Sequence, residues 1–240
     1  MDGCRGGWVA VLLAGDPPAF AGSLAAAGYA DLLERLAGAA VVAVDIPIGL
    51  AEHGCAGGRH LGQSQARAGG GECVPDPAPA GARGASHAAA SARCSALLGK
   101  GCSIQAWGLR GRIFEVERAR LAAPAGGPRL VEAHPELCLA TMAGRPLDRA
   151  KKTAEGHELR RALLAAQGVA LPPGPPERGP PGIGVAPDDL VDAAAAAWTA
   201  ARVAAGLAGG DLALSYPASC AALLLGSGGI AGTSLGSAGS

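Results

Sequence analysis

The stretch Val41-Val42-Ala43-Val44-Asp45 decides the fold, and it continues as Ile46-Pro47-Ile48-Gly49-Leu50. A short, continuous run of mostly β-branched residues is typical of a strand that is buried on both faces. An aspartate directly after such a strand is costly to bury without a partner. We therefore expect a central strand of an α/β sheet with a functional carboxylate at Asp45. The alternative, a structural aspartate that caps neighbouring backbone, stays open.

Other acidic residues lie beside apolar runs in distant parts of the chain. Asp2 precedes the apolar run 9–13, Glu132 ends a short apolar segment, and Asp189 and Asp192 begin an alanine-rich helix. Carboxylates at strand ends and at a helix start can converge in an α/β sheet. Hard cations such as Mg²⁺ are held by a few carboxylates together with substrate phosphates. The pattern therefore predicts metal-dependent phosphate chemistry.

Each of these residues also has a plain structural interpretation. Asp2-Gly3 suits a hairpin turn. Asp189 suits the N-cap and Asp192 the first turn of a helix, where acids are favoured. His134, two residues after Glu132, could be a ligand, a proton shuttle or a hydrogen-bonded core histidine.

Composition excludes several classes of protein. The 20 basic and 20 acidic residues give zero formal charge, which does not favour a nucleic-acid binder that uses its whole surface. The seven cysteines form no C-x-x-C pair, so a structural zinc site is weakly supported, and we expect buried, reduced thiols in a cytoplasmic protein. No apolar run approaches the roughly 20 residues of a membrane span.

Apolar periodicity predicts the following elements. We expect strands over 8–14, 41–48 and 129–132, and helices over 29–36, 109–120, 137–142, 153–167 and 189–207. Residues 171–187 are rich in Pro and Gly and predict a loop. Residues 61–97 and 218–240 carry too few large apolar side chains to offset the entropy of ordering. We therefore expect one domain over 1–217, with a low-complexity insertion at 55–96 and a disordered tail at 218–240.

Basic residues lie near the start of the predicted helix 153–167. Lys152 precedes it and Arg160 lies within it, and both could hold the phosphates of a substrate. A solvated helix face is the commoner explanation for such a group. The chain has neither a P-loop nor a G-x-S-x-G elbow, which disfavours a Walker-type ATPase and an α/β-hydrolase.

Six motifs, taken in order, resemble the bacterial and archaeal family called domain of unknown function 429. They are Asp2-Gly-Cys-Arg-Gly-Gly-Trp8, Val44-Asp-Ile-Pro-Ile-Gly-Leu50, Gly101-Cys-Ser-Ile-Gln-Ala-Trp107, Val131-Glu-Ala-His-Pro-Glu136, Lys151-Lys-Thr-Ala-Glu-Gly156 and Asp189-Leu-Val-Asp-Ala193. The family is described as predicted nucleases of RNase H-like fold. The resemblance implies a mixed sheet with flanking helices and an acidic site. The chain departs from the family pattern at its start, where only Met1 precedes Asp2 and we expect a truncated first strand. It also departs within the two stretches that we expect not to fold, which we interpret as local frameshifts or gene decay.

The resemblance implies a nuclease or phosphodiesterase that uses two Mg²⁺ or Mn²⁺ ions. Asp2 and Asp45 would bridge the ions, with Glu132 and with Asp189 or Asp192 completing the shell. The substrate would be a nucleic acid or another phosphodiester. Two alternatives stay open: an actin-like nucleotide phosphotransferase, and a non-catalytic or degenerate binding protein.

Overall fold

A computed structural model describes residues 1–46, 48, 86–98, 104–124, 126–173 and 180–207, and all that follows concerns those residues. Five strands and six helices lie within them. The strands are β1 Asp2–Cys4, β2 Gly7–Ala14, β3 Ala19–Ala26, β4 Val41–Val44 and β5 Arg129–Glu132. The helices are α1 Tyr29–Arg35, α2 His87–Leu98, α3 Ile104–Ala122, α4 Pro135–Ala143, α5 Ala154–Ala166 and α6 Pro187–Ala204.

The first three strands form an antiparallel sheet in the order β1-β2-β3. Asp2 is opposite Val9, and Trp8 is opposite Ala26. Strand β2 agrees with the prediction for 8–14. Strand β3 was not predicted, because its sequence, AFAGSLAA, has no β-branched residue and little apolar alternation.

Strands β4 and β5 form a parallel pair with Val41 opposite Arg129 and Val44 opposite Glu132. Met1 connects this pair to β1. Its nitrogen donates to the carbonyl of Ala43 at 2.6 Å, and its carbonyl accepts from the amide of Asp45 at 3.1 Å. This is the bonding pattern of parallel neighbours, so β1 lies between β2 and β4 at this point. The predicted mixed α/β arrangement is confirmed at this level.

Helices cover the strands from two sides, and each side has its own core. On the first side α6 packs with α4 and α5 over Val9, Val11 and Ala43. On the second side α1 and α3 pack over Trp8, Val42 and Val44. Residues 193–197 of α6 are five consecutive alanines, all buried, and their small side chains let the helix lie close to the strands.

Two predictions about local structure were wrong. Residues 87–98, which fall mostly in the segment predicted not to fold, form helix α2, in keeping with the high helix propensity of its alanines. Asp189 is not the N-cap of α6: the N-cap is Ala186, and Asp189 lies three residues later. Residues 55–85 of the insertion predicted at 55–96, and the predicted tail at 218–240, lie outside the described residues.

The described cysteines fit the expectation of buried thiols. Cys4 and Cys138 are both free and buried. The Cys138 sulfur lies 3.0 Å from the Thr199 hydroxyl oxygen, and burial raises the pKa of this thiol to about 11. A thiol with so high a pKa is a poor nucleophile at neutral pH.

Candidate functional site

Strand pairing places Asp2 and Asp45 side by side. Met1 and Val44 lie next to each other and pack in the core on the α1/α3 side. Because side chains alternate along a strand, the following residues, Asp2 and Asp45, turn towards α6. The register of Asp2 agrees, since its partner Val9 packs in the core under α6.

The first turns of α6 bring two further carboxylates to this place. Pro187 opens the helix, and the Asp189 carboxylate accepts the Ala186 amide at 2.9 Å. This bond satisfies one of the amides left over at a helix start. Asp192 lies one turn further on the same side of the helix, with only 6% of its surface exposed.

The carboxylates in this cluster oppose one another's ionisation. The pKa of Asp2 is raised to about 7, chiefly by burial and then by the charges of Asp45 and Asp192. The hydrogen bond from the Gly3 amide lowers it by less. Burial also raises the pKa of Asp192 to about 6, with contributions from Asp45 and Glu136. Burial likewise raises the pKa of Asp189. A cation among these groups would favour the ionised forms of Asp2 and Asp192 against burial and against the neighbouring negative charges.

Lys151 reaches this cluster, and the sequence did not single it out from Lys152. Its ammonium lies 3.0 Å from the Asp192 carboxylate, and 41% of its side chain is exposed. Burial lowers the pKa of Lys151, but the charge and hydrogen bond of Asp192 outweigh that effect and hold it above its usual value. The ion pair also lowers the pKa of Asp192, which would otherwise lie higher.

A tight turn before α5 fixes the position of Lys151. The Thr153 hydroxyl accepts the Gly156 amide at 3.1 Å and donates to the Ala150 carbonyl at 2.8 Å, which caps the helix. A side chain at position 156 would collide with that same carbonyl, so glycine is required there. The motif from Lys151 to Gly156 therefore has a structural explanation that also delivers Lys151 to the acidic cluster.

Arg160, predicted to hold substrate, is committed to the fold. It is 4% exposed and donates to both carboxylate oxygens of Glu136, with the shortest of these bonds at 2.7 Å. It also donates to the carbonyls of Arg149 and Gly156, each at 2.9 Å. These bonds engage all three guanidinium nitrogens of a buried side chain, so Arg160 is placed to hold the fold together rather than to contact a phosphate. Lys152, the other predicted phosphate contact, is exposed.

Glu132 and His134 occupy different positions from the cluster. Leu130 packs on the α1/α3 side, and Glu132, two residues later, shares that side by strand alternation. Its carboxylate accepts the Ile48 amide at 3.3 Å. His134 is half-buried, and its carbonyl accepts the amides of Leu137 and Cys138 at the start of α4. The structure thus brings together Asp2, Asp45 and Asp192, with Asp189 one turn away, and directs Glu132 elsewhere.

Within the described part of the chain, no group of three or more His, Cys, Asp or Glu side chains is already arranged to hold a metal ion. The donor chemistry nonetheless suits a hard divalent cation, since the converging side chains are carboxylates that repel one another. In the same part of the chain, no helix is long and apolar enough to cross a membrane.

The fold and the site define an α/β protein with a mixed set of strands and a buried acidic cluster at the start of its last described helix. The sequence profile of the family described as protein of unknown function, DUF429, matches residues 1–219. The chain belongs to this family, as its six motifs predicted. Searches of curated proteins and of solved structures gave no significant match.

Proposed function

We propose that this protein is a divalent-metal-dependent phosphodiesterase, most simply a nuclease, with an RNase H-like fold. The observation that carries the proposal is the convergence of Asp2, Asp45 and Asp192 in a buried site: the charges of Asp45 and Asp192 raise the pKa of Asp2, and the charge of Asp45 raises that of Asp192. The mixed strands with helices on both sides are consistent with the fold expected from the resemblance. Because one fold can support many activities, the proposed activity depends on the residues of the site and not on the fold.

In this proposal Asp2, Asp45 and Asp192 hold Mg²⁺ or Mn²⁺, with Asp189 as an outer partner. The metal would supply activation of water and stabilisation of the leaving oxygen. The three carboxylates must reorient to become ligands, because they do not yet form a ligating group. Asp189 is held by the Ala186 amide and so fixes the helix start that carries Asp192.

The protein's own residues also prepare the site for a phosphodiester. Helix α6 directs its N-terminus at the cluster, where its dipole favours negative charge. The Lys151 ammonium pairs with Asp192 and is part-exposed, so it could contact a phosphate oxygen of the substrate. Arg160 and Glu136 position the turn that carries Lys151. In this proposal Arg160 therefore supports Lys151, instead of contacting the substrate directly as the sequence predicted.

Metal-dependent cleavage tests the proposal. Fluorescent single-stranded DNA, duplex DNA and RNA are incubated with the protein in Mn²⁺, in Mg²⁺ and in EDTA. We expect cleavage only with metal, and a loss of more than about 100-fold in Asp45→Asn, because removing a direct ligand should exceed the effect of removing an outer partner. Asp31→Asn is the matched control, since Asp31 is an exposed aspartate on α1 that pairs with Arg35. Cleavage that persists in Asp45→Asn would contradict the mechanism.

Thermal unfolding in Mn²⁺ tests metal binding separately from cleavage. A cation that binds the native state raises its stability by mass action, so Mn²⁺ should raise the Tm of the unsubstituted chain but not of Asp45→Asn. A cooperative unfolding transition whose Tm does not change with Mn²⁺ would contradict metal binding in this proposal.

One observation favours a second candidate, a non-catalytic binding protein. Asp192 already has an internal counter-ion in Lys151, as it would in a site that works without metal. Binding of an oligonucleotide that needs no metal and survives Asp2→Asn with Asp45→Asn would support this candidate over the enzyme.

A further inference from the structure

Arg112 of α3 is a second basic residue close to the acidic cluster. Its Nη2 donates to the carbonyl of Cys4 at 2.6 Å, which holds the guanidinium at the end of β1. The side chain is half-buried, in contrast to Arg160, which is 4% exposed. Among the residues that the structure describes, no acceptor is bonded to Nε or Nη1 of Arg112. The guanidinium therefore keeps N–H groups for a ligand.

The absence of a side chain at Gly3 makes room for this guanidinium. A Cβ at position 3 would collide with Nη1 and Cζ of Arg112. The guanidinium carbon also lies 5.6 Å from the centroid of the Trp8 ring, within the range of a cation–π contact. Trp8 is opposite Gly3 in the sheet and packs on the α1/α3 side. Arg112 is thus held at a defined place on the α1/α3 face of β1.

Gly3 also connects this place to the acidic cluster. Its amide donates to the Asp2 carboxylate at 2.7 Å. Met1 directs its nitrogen and carbonyl at β4, and by alternation Gly3 directs its amide to the same edge of β1. Asp2 faces α6, so its carboxylate and the Arg112 guanidinium lie on opposite faces of β1 and meet at one strand edge. At Gly3 this edge carries no side chain.

The charge of Arg112 reaches the start of α6. Burial raises the pKa of Asp189, and the charge of Arg112 is among the effects that oppose this shift. The charge of Lys151 opposes it too, and Lys151 pairs with Asp192, one turn further along the helix. The acidic cluster therefore has one basic side chain on the α6 side and another on the α1/α3 side.

We propose that Arg112 binds a phosphate beside the scissile one, so that the substrate is a polynucleotide strand with consecutive phosphates. This inference rests on the proposed phosphodiesterase activity. The scissile phosphate would lie with the carboxylates on the α6 side, so the phosphate at Arg112 is a different one. Phosphates of one strand follow one another about every 3.4 Å of helix axis, so a strand that crosses the edge of β1 at Gly3 can place one on each side. A guanidinium suits this contact because its N–H groups match phosphate oxygens.

Binding of a fluorescent oligothymidylate tests the contact. Anisotropy titrations are made in Ca²⁺, a hard cation that carboxylates also bind, with salt varied. We expect Arg112→Gln to raise the Kd about 10-fold and to reduce the salt slope by about 0.7, the loss of one phosphate contact on a single strand. Arg112→Lys keeps the charge and should keep the slope, which a purely structural arginine would not require. Unchanged Kd and slope in Arg112→Gln would overturn the proposal.

Two variants control for charge and for position. Arg35→Gln removes the same charge beside Val41, at the other end of β4, and should leave Kd and slope unchanged. Gly3→Ala displaces the guanidinium, so it should weaken binding in the parent and add nothing in Arg112→Gln. Additive losses would overturn the placement over Gly3. If Arg112→Gln does not fold, Gly3→Ala decides alone, and binding equal to that of the parent would overturn the proposal.

Hydrolysis of bis(4-nitrophenyl) phosphate in Mn²⁺ separates this inference from the proposed function. This small diester has one phosphate, so its cleavage by the parent tests the acidic cluster alone. If the parent cleaves it while Arg112→Gln binds the oligothymidylate as the parent does, the inference is overturned and the proposed function stands. If binding depends on Arg112 while the parent cleaves neither compound in Mn²⁺, the phosphate contact stands and the phosphodiesterase is overturned.

Discussion

Carboxylates occur in two kinds of surroundings on the two sides of the strands. On the α1/α3 side, Glu115 accepts the Trp8 indole N–H at 3.0 Å and the Tyr29 amide at 2.6 Å. On the α6 side, Asp2 and Asp192 face other carboxylates, and burial raises the pKa of each. A carboxylate that accepts hydrogen bonds from several donors stabilises the folded state. Carboxylates that face one another destabilise it, and such a group suits a cation-binding site. The two kinds of residue should therefore respond to substitution with opposite signs.

Glu115 should give the largest effect on stability. Glu115→Leu leaves the Trp8 indole and the Tyr29 amide without their acceptor, and each unsatisfied buried donor costs about 1–3 kcal/mol. We expect a loss of about 3 kcal/mol in the free energy of unfolding, measured by urea denaturation. Glu115→Gln keeps one acceptor oxygen and should lose roughly half as much. Equal losses in both variants would mean that side-chain volume, not the hydrogen bonds, explains the effect.

Asp2 should respond in the other direction. Its pKa is raised from 3.8 to about 7 in the folded protein, so between these values the native state binds a proton that the unfolded state does not. Stability contributed through Asp2 therefore falls as pH rises from about 4 to 7. At pH 8, Asp2→Asn should be more stable than the parent by about 1–3 kcal/mol, and at pH 4 the difference should vanish.

The comparison of the parent with Asp2→Asn reports the Asp2 charge together with its effect on the neighbouring Met1 amino group. Burial lowers the pKa of that amino group to about 6, and the Asp2 charge opposes this shift in the parent only. Asp31→Asn, at an exposed position of α1, should show no such pH dependence. If Asp2→Asn raises the free energy of unfolding by the same amount from pH 4 to pH 8, the effect comes from side-chain packing and not from the charge of Asp2.

Parts of this comparison could be predicted from the sequence and parts could not. The run ending at Asp45 identified β4 and its terminal carboxylate, because a buried parallel strand is apolar throughout. The same kind of reasoning could not separate Glu132 from the cluster. That distinction depends on which face of β5 each residue occupies, and a four-residue strand gives little alternation to read. Nor did it predict β3, whose residues are small and carry no strong strand preference.

The basic residues show the same limit. The sequence could not separate the roles of Lys151, Lys152 and Arg160, since all three are basic residues just before or within one predicted helix. Tertiary contacts give them three different roles: Arg160 is enclosed by Glu136 and two carbonyls, Lys152 is exposed, and Lys151 reaches Asp192. The capping threonine and Gly156 were visible in the sequence and do mark the turn, but not the direction in which Lys151 leaves it.

Mn²⁺ should reduce the destabilising effect of the carboxylates on the α6 side. If the cation binds among Asp2, Asp45 and Asp192, their ionised forms are favoured, and the fall in stability between pH 4 and 7 should become shallower. The measurement is the Tm of the parent across this range with and without Mn²⁺. The same slope in both conditions would show that the cluster binds no cation under these conditions.

The smallest effect on stability should come from Lys151→Met. The ammonium of Lys151 is largely solvated, so loss of its ion pair with Asp192 should change the free energy of unfolding by less than about 1 kcal/mol. The pKa of Asp192 should nevertheless rise above its present value of about 6, because Lys151 is what lowers it against burial and against Asp45. Carboxyl-carbon NMR titration of Asp192 measures this directly, with Lys152→Met as the matched control that should leave it unchanged. A shift of Asp192 in both variants would assign the effect to the general positive charge of the turn, whereas a shift in Lys151→Met alone would establish Lys151 as the internal counter-ion of the acidic cluster.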